Sequence, residues 1–225
     1  MYTGANIIRN GLVLSLDAAS LNSYPGSGTN CNDLSGNNNN ATLVNTPTFS
    51  SANAGILTFN GTTQNISLPS SLTRLNTNYS VGVWFLPTRA ATSYLTSDWS
   101  ASGRNYLFTQ ESNNKIRLAI GNGSTSQDSG FESNLTLTTN AWHNATFVVN
   151  GTTRIIYMNG VFDNSAVGSF SGGVTSNARN IATSFDRNAS DFFQGSISNI
   201  QFYNRSLSAA EILQNYNAIK SRFNL

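Results

Sequence analysis

Trp142-His143-Asn144-Ala145-Thr146-Phe147-Val148-Val149-Asn150-Gly151-Thr152-Thr153-Arg154-Ile155-Ile156-Tyr157-Met158-Asn159-Gly160 carries the reading of the fold. Ala145, Phe147 and Val149 stand two apart, so an extended chain puts them on one side, as a half-buried strand requires. The run ends at Asn150-Gly151, a pair that tolerates the positive φ angles of a type I′ turn, and apolar residues resume at 154–157. An antiparallel hairpin is the expectation. Asn159-Gly160 closes the second strand with another pair of the same kind.

Outward from this hairpin the signature repeats. Short β-type runs bounded by turn residues occur at 12–16, 56–59, 64–68, 79–86, 106–110, 115–120, 144–149, 154–158, 180–183 and 195–203. Val81, Val83 and Phe85 alternate like Ala145, Phe147 and Val149, and Asn60-Gly61 and Asn122-Gly123 are further hairpin candidates. The period changes at the end of the chain. Ser208 and Glu211 form a capping box, and Leu207 and Ile212 stand where a hydrophobic staple needs them. Ile212, Leu213, Tyr216 and Ile219 make an apolar stripe at helical spacing, followed by Lys220 and Arg222 where the dipole favours cations. The expected fold is all-β, a two-sheet antiparallel jelly-roll sandwich with a short C-terminal helix over about 208–222. No linker, charge block or repeat divides it, so 1–225 reads as a single domain.

Composition bears on function. The 225 residues include 33 Asn, 31 Ser and 23 Thr, but one Cys, one His and ten carboxylates. One Cys excludes an internal disulfide framework and a Cys-rich zinc site. A formal charge of +2 argues against general nucleic-acid binding, while 39% hydrophobic and 11% aromatic residues are enough for a core and set disorder aside. The ten Asn-x-Ser/Thr sequons, among them Asn60, Asn144 and Asn204, match the roughly eight that chance gives, so they carry no glycosylation signal. Met1-Tyr2-Thr3-Gly4-Ala5-Asn6 has no basic region and the apolar run 12–14 is short, so neither a secretion signal nor membrane insertion is expected.

The stretch 142–160, with its Trp-His start, apolar strand, turn and second strand ending Tyr157-Met158-Asn159-Gly160, resembles the paired strands of LamG-like jelly rolls in the concanavalin A-like lectin/glucanase superfamily. The tail, from Phe193-Gln194-Gly195 through Ile197, Ile200, Phe202-Tyr203-Asn204-Arg205 and Leu207-Ser208 to Glu211-Ile212, resembles that family's closing strand and helix. Phe59-Asn60-Gly61 followed by Ile66 and Leu68, and Val81 with Val83-Trp84-Phe85, extend the likeness over essentially the whole chain. The segment 11–19 with Asp33-Leu34-Ser35-Gly36-Asn37, and the ending 210–223, are similar to jelly rolls common in bacteriophage structural genes, which often carry Trp where Cys31 stands here. The resemblance implies localisation on a phage virion. Partners would be other virion proteins and host or environmental surface glycans, and a homo-oligomer fits such a setting.

Hydrolases of the superfamily place Glu, Asp and Glu on alternate residues of one strand, whereas Glu111, Glu132 and Glu211 are far apart. No enzymatic activity is expected and no catalytic residue is assigned. His143 begins a strand as the family shows without catalysis, and Cys31 reads as an incidental thiol in a polar loop. Relatives hold Ca²⁺ with Asp and Asn oxygens. No bound cofactor is expected here; Asp17 and Asp33 are the candidate ligands were Ca²⁺ held, with Asp186 and Asp191 as further contributors. Against this, Gly195-Ser196-Ile197-Ser198 lacks the family's Asp, and Asp33 reads equally as an Asx-turn into Ser35-Gly36. No other cofactor is implied.

Sugars are held by aromatic faces, amides and guanidinium groups. The segment 89–104, read as lying outside a clear strand, offers Arg89, Tyr94, Asp98, Trp99 and Arg104, and a second loop at 121–131 adds Asn122, with Gln127 and Asp128. Trp99 is the first choice for stacking, while Trp84 and Trp142 belong to the core. The leading expectation is a non-catalytic virion protein that attaches through weak, multivalent carbohydrate binding. The alternatives are a capsid decoration or cement protein contacting other virion proteins, and a degenerate glycoside hydrolase.

Overall fold

The computed structural model describes residues 6–70, 72, 77–100, 103–122, 129–169, 179–184 and 191–225. Its strands are β1 (Leu12–Asp17), β2 (Asn30–Cys31), β3 (Ala41–Val44), β4 (Thr48–Ser50), β5 (Ile56–Asn60), β6 (Asn65–Ser67), β7 (Asn78–Pro87) and β8 (Ser93–Ser100). They continue with β9 (Gly103–Gln110), β10 (Ile116–Ile120), β11 (Phe131–Glu132), β12 (His143–Asn150), β13 (Thr153–Met158), β14 (Val161–Val167), β15 (Arg179–Ile181) and β16 (Gln194–Tyr203). Helix α1 (Ala209–Ile219) runs into a 3₁₀ turn, Lys220–Phe223. The first sheet has the order β14-β13-β12-β7-β16-β5-β4, with β1 also paired to β16; the second has the order β11-β10-β9-β8-β15-β6-β3-β2. This is the expected antiparallel jelly-roll sandwich with its C-terminal helix.

Residues 143–158 form the β12–β13 hairpin, paired from Ala145↔Met158 to Asn150↔Thr153. Its turn differs from the expectation. Asn150 is still paired, and within the Gly151-Thr152 loop only Gly151 has positive φ (58°), the type II′ pattern. Asn159 and Gly160 both have positive φ (51° and 78°), as type I′ requires, and lead into β14. Asn60-Gly61 is not a hairpin. It carries the chain from β5 in the first sheet to β6 in the second, and Asn60 Oδ1 accepts the N–H groups of Thr62 and Thr63. Gly123 lies outside the described residues.

The core lies between the sheets. Phe147 of β12 meets Tyr106 and Phe108 of β9 at ring-centroid distances of 5.0 and 4.8 Å. Val81, Val83 and Phe85 are buried with it, as their alternation predicts, facing Leu95, Ile116 and Leu118. Cys31 corrects the loop reading. It is in β2 and buried in this core, and burial pushes its thiol up to about 11.

The other face of the first sheet is covered by α1. Trp84, one step out of register with Val83 and Phe85, points away from the main core and stacks on Tyr216 (5.3 Å) and Phe223 (4.7 Å). Trp142 meets Phe223 at 4.2 Å. These two tryptophans therefore anchor the helix instead of filling the space between the sheets. Ile212 and Ile219 are buried as expected, but Leu213 is exposed and Ala218 takes its place in the contact.

The capping box forms. Ser208 Oγ accepts the Glu211 N–H, and Glu211 Oε2 accepts the Ser208 N–H. Both Glu211 oxygens also accept from the Arg205 guanidinium, at 2.9 and 2.6 Å. That guanidinium, helped by the Ser208 donors, lowers the Glu211 carboxyl from 4.5 to about 2. A carboxyl held low in the fold adds stability that is complete above about 4.5 and is lost as the pH falls through about 2. Glu211→Gln should therefore lower the melting temperature near neutral pH. The gap from the parent protein should close as thermal unfolding is followed from about pH 5 down to about pH 2.

Candidate functional site

The segment 89–104 is largely strand, not loop. Within it β8 is an interior strand of the second sheet, between β9 and β15. Its polar composition, Ser93-Tyr94-Leu95-Thr96-Ser97-Asp98-Trp99-Ser100, conceals it because the apolar alternation is broken twice. The register shifts between Tyr94 and Thr96, and again between Asp98 and Trp99. Such irregularities re-aim side chains. The second sets Trp99 opposite Arg104, whose guanidinium carbon lies 5.0 Å from the indole centroid, a cation–π contact.

Trp99, Leu107 and Ala119, with Tyr94 packed against them, form a cluster separate from the main core, on the face of the second sheet turned away from the first. Trp99 is 7% exposed, while Tyr94 and Arg104 are half-buried. Gly121 ends β10 against this corner. A Cβ there would lie 2.1 Å from the Arg104 carbonyl oxygen, so only glycine permits the approach. Asn122 follows directly and is exposed. The fold thus brings Tyr94, Trp99, Arg104 and Asn122 to one region. Gln127 and Asp128 lie outside the described residues.

Asp98 and Arg89 do other work. Asp98 is 1% exposed and accepts from Arg179 Nε at 2.8 Å and Asn105 Nδ2 at 2.9 Å. Arg179 also donates to the Leu72 carbonyl. This buried pair joins β8 to β15 across the Arg179↔Asp98 register position. Arg89 donates to the carbonyls of Gly61 and Phe192, and its own carbonyl accepts from Gln110 Nε2, so it ties loops at the sheet ends. Arg179 was missed from sequence because nothing local marks it as the partner of Asp98.

The calcium ligands expected from the resemblance do not fit a cation. Asp33 Oδ1 accepts the N–H groups of Ser15 and Ser35, and its Oδ2 accepts the Ser35 hydroxyl and the Asn39 N–H. This is the Asx-turn, extended to pin β1. Asp17 faces both terminal nitrogens of Arg222, at 2.7 and 2.8 Å. Asp191 accepts from Ser184 Oγ, and Asp186 lies outside the described residues. Among the described residues no group of three His, Cys, Asp or Glu side chains could hold a metal.

The remaining described carboxylates are engaged too. Asp163 accepts the N–H groups of Asn134 and Leu135, Glu111 accepts from Thr92 and Thr109, and Glu132 accepts from Asn113. His143 is buried, with Nε2 against the Thr138 backbone, and burial lowers its pKa.

Comparison with known structures places this geometry in context. The chain is similar to Domain 4 of AbnA, a GH43 extracellular arabinanase from Geobacillus stearothermophilus, solved in complex with arabinotriose: TM-score 0.69, 17% identity, covering 91% of this chain and 98% of that one. It is also similar to the binding domain of Paraclostridial Mosquitocidal Protein 1 (TM-score 0.72, 14% identity, 93% of this chain and 52% of that one). A third likeness is to the Botulinum Neurotoxin Type G receptor binding domain (TM-score 0.68, 17% identity, 92% and 51%). The chain thus spans about half the length of the two toxin domains, and identities this low speak for the fold alone. Comparison with curated proteins gives no match. A family model, Laminin_G_3, matches residues 60–213, from the sheet-switching corner after β5 to the first turns of α1. With well over half of the sequence matched and both sheets in place, the chain belongs to the concanavalin A-like lectin/glucanases superfamily.

Proposed function

We propose that this chain is a non-catalytic carbohydrate-binding jelly roll of a bacteriophage particle, acting as one unit over residues 1–225. It attaches to surface glycans through the outer face of its second sheet. The observation that carries this reading is the Tyr94–Trp99 cluster with Arg104 lying over the indole. A pyranose ring stacks against the aromatic surface that Tyr94 offers, while Arg104 and Asn122 donate to its hydroxyls. Trp99, the residue first chosen for stacking, gives the cluster its floor. Asp98 and Arg89 hold the sheet and its loops in shape.

The AbnA domain, which shares this fold and was solved with arabinotriose, supports a glycan as ligand. The opening and closing motifs similar to phage structural proteins support the virion setting. No helix among the described residues is long and apolar enough to cross a membrane. One shallow site binds weakly, and many copies on a particle, or a homo-oligomer, raise avidity by about 10²–10⁴. The engagement of every described carboxylate by a protein donor supports a binding surface over a glycoside hydrolase, whose two carboxylates must face the scissile bond.

One observation favours a second reading, a decoration protein held by other virion proteins. Val161, Phe162 and Val167 on the outermost strand β14 are 63%, 56% and 77% exposed, an apolar set that a neighbouring protein would cover.

On a glycan array, the parent protein should bind, and Trp99→Ala and Arg104→Ala should each weaken binding by about tenfold or more. Arg104 is half-buried, so that variant should keep the parent circular-dichroism spectrum. An absence of glycan binding, together with co-purification with particles that is lost on Phe162→Ser, would replace this reading with the decoration protein. Asp98→Ala should act differently from both binding-face variants. It leaves Arg179 buried without its carboxylate and should cost about 3–5 kcal/mol in denaturant unfolding.

A further inference from the structure

A second site lies on the opposite side of the molecule, where the amino-terminal segment, β1, β16 and the end of the helix enclose a cleft of about 180 Å³. Its floor is the outward face of two paired strands, with Asp17 opposite Asn199 and Ser15 beside them on β1. Ile7 and Ile219 form apolar walls, and Arg9 and Arg222 line it as well.

The floor has unspent hydrogen-bonding capacity. Asn199 is 3% exposed and Ser15 is 2% exposed, yet neither the Asn199 carboxamide nor the Ser15 hydroxyl bonds to any described residue. Nearby, Asn39 Nδ2 donates to the Val13 carbonyl, and Tyr203 OH donates to the Ile8 carbonyl. Neither the Asn199 carboxamide nor the Ser15 hydroxyl belongs to the fully enclosed unpartnered atoms of the protein, so both open onto the cleft. An amide and a hydroxyl turned into a cleft are satisfied by something that enters it.

Charge and size narrow the occupant. Asp17 is neutralised by Arg222, whose two terminal nitrogens both go to it. Arg9 is exposed and gives one nitrogen, Nη1, to the Leu34 carbonyl, leaving the rest of its fork as the net positive charge of the lining. The half-open cleft, about 180 Å³, has room for one small ring. Apolar walls, neutral hydrogen-bonding groups on the floor and a single cation at the mouth suit a ring bearing hydroxyls and one carboxylate.

We propose that this cleft binds a single uronic acid residue, its hydroxyls on Asn199 and Ser15 and its carboxylate on Arg9. The site is separate from the Trp99 face and stands or falls without it. The probes are sodium D-glucuronate, a short oligogalacturonide carrying the same group at a chain end, and D-glucose as the neutral ring, titrated into isotopically labelled full-length protein. Glucuronate should shift the amide resonances of Asn199, Ile219 and Arg222 saturably in the millimolar range, about what a ligand of this size gains. Arg9→Ala, at an exposed position, should weaken it by about tenfold, the loss of one charge-assisted contact. Asn199→Ala should weaken it too, and Trp99→Ala should leave it unchanged.

Shifts with the oligogalacturonide but not with the free acid would overturn the single-residue assignment in favour of a longer glycan. Glucose binding as tightly as glucuronate, undiminished binding in Arg9→Ala, or no saturable shift around the cleft would each overturn the proposal. Because Arg9→Ala spares the strands, the test survives even if Asn199→Ala fails to fold.

Discussion

The centre of the first sheet is buried on both faces, and most of the architecture answers to that constraint. Strand β16 pairs with β5, β7 and β1, and nearly every one of its residues is buried. Ile197, Ile200 and Phe202 reach the main core, but Ser196, Ser198, Asn199, Gln201 and Tyr203 are buried as well and are polar. Taking such groups out of water is tolerable only when each finds a partner. Ser196 Oγ therefore meets Thr58 Oγ1, Ser198 Oγ donates to the Gly55 carbonyl, and Asn215 of α1 donates to the Tyr203 hydroxyl. The same Asn215 accepts the Ile8 N–H, which draws the amino-terminal segment onto the sheet. Helix and amino-terminal segment thus form one lid over a polar strand face, and the cleft lies on that face beside Asn199, to which the lid supplies no partner.

The two sheets consequently differ in what they offer. On the first, Trp84 is consumed by stacking between Tyr216 and Phe223, so its aromatic surface serves the fold. On the second, Trp99 lies in a small cluster outside the main core, with a guanidinium over it and a half-buried tyrosine beside it. Two tryptophans with similar burial thus have different consequences, decided by which sheet the helix covers.

What could be read from sequence was what is encoded locally. The β12–β13 hairpin, the capping box and the alternation of β7 depend on residues a few positions apart, and all form. Trp84 shows how far local reading extends. Assigning it to the core overlooks that its position between Val83 and Phe85 turns it to the other face, and nothing nearby in the chain announces a covering helix. Strand β8 was hidden because its two irregularities break the period that marks a strand, and because Ser, Thr and Asp occupy positions where Val or Ile would advertise one. The roles of Asp98 and Asp17 depended on Arg179 and Arg222, distant in sequence and adjacent only after folding. Residue type alone nominated these aspartates for ligands; the partner decided otherwise.

The preference for arginine over lysine, ten to two, acquires a physical sense from the same contacts. Each ion pair among the described residues joins an arginine to a carboxylate: Arg222 to Asp17, Arg205 to Glu211 and Arg179 to Asp98. In two of them a planar fork holds both carboxylate oxygens, a geometry that a lysine ammonium cannot reproduce. With few charges to spend, the chain uses arginine where a single contact must orient two segments as well as neutralise one. The Arg222 pair fixes the end of the helix over β1, and the Arg205 pair locks the turn that leads from β16 into the helix. Arg104 has a different neighbour, the face of Trp99, and Arg9 stands at the mouth of the cleft. The arginines paired with carboxylates build the scaffold, whereas Arg104 packs its guanidinium on an indole and Arg9 keeps most of its fork at the mouth of the cleft.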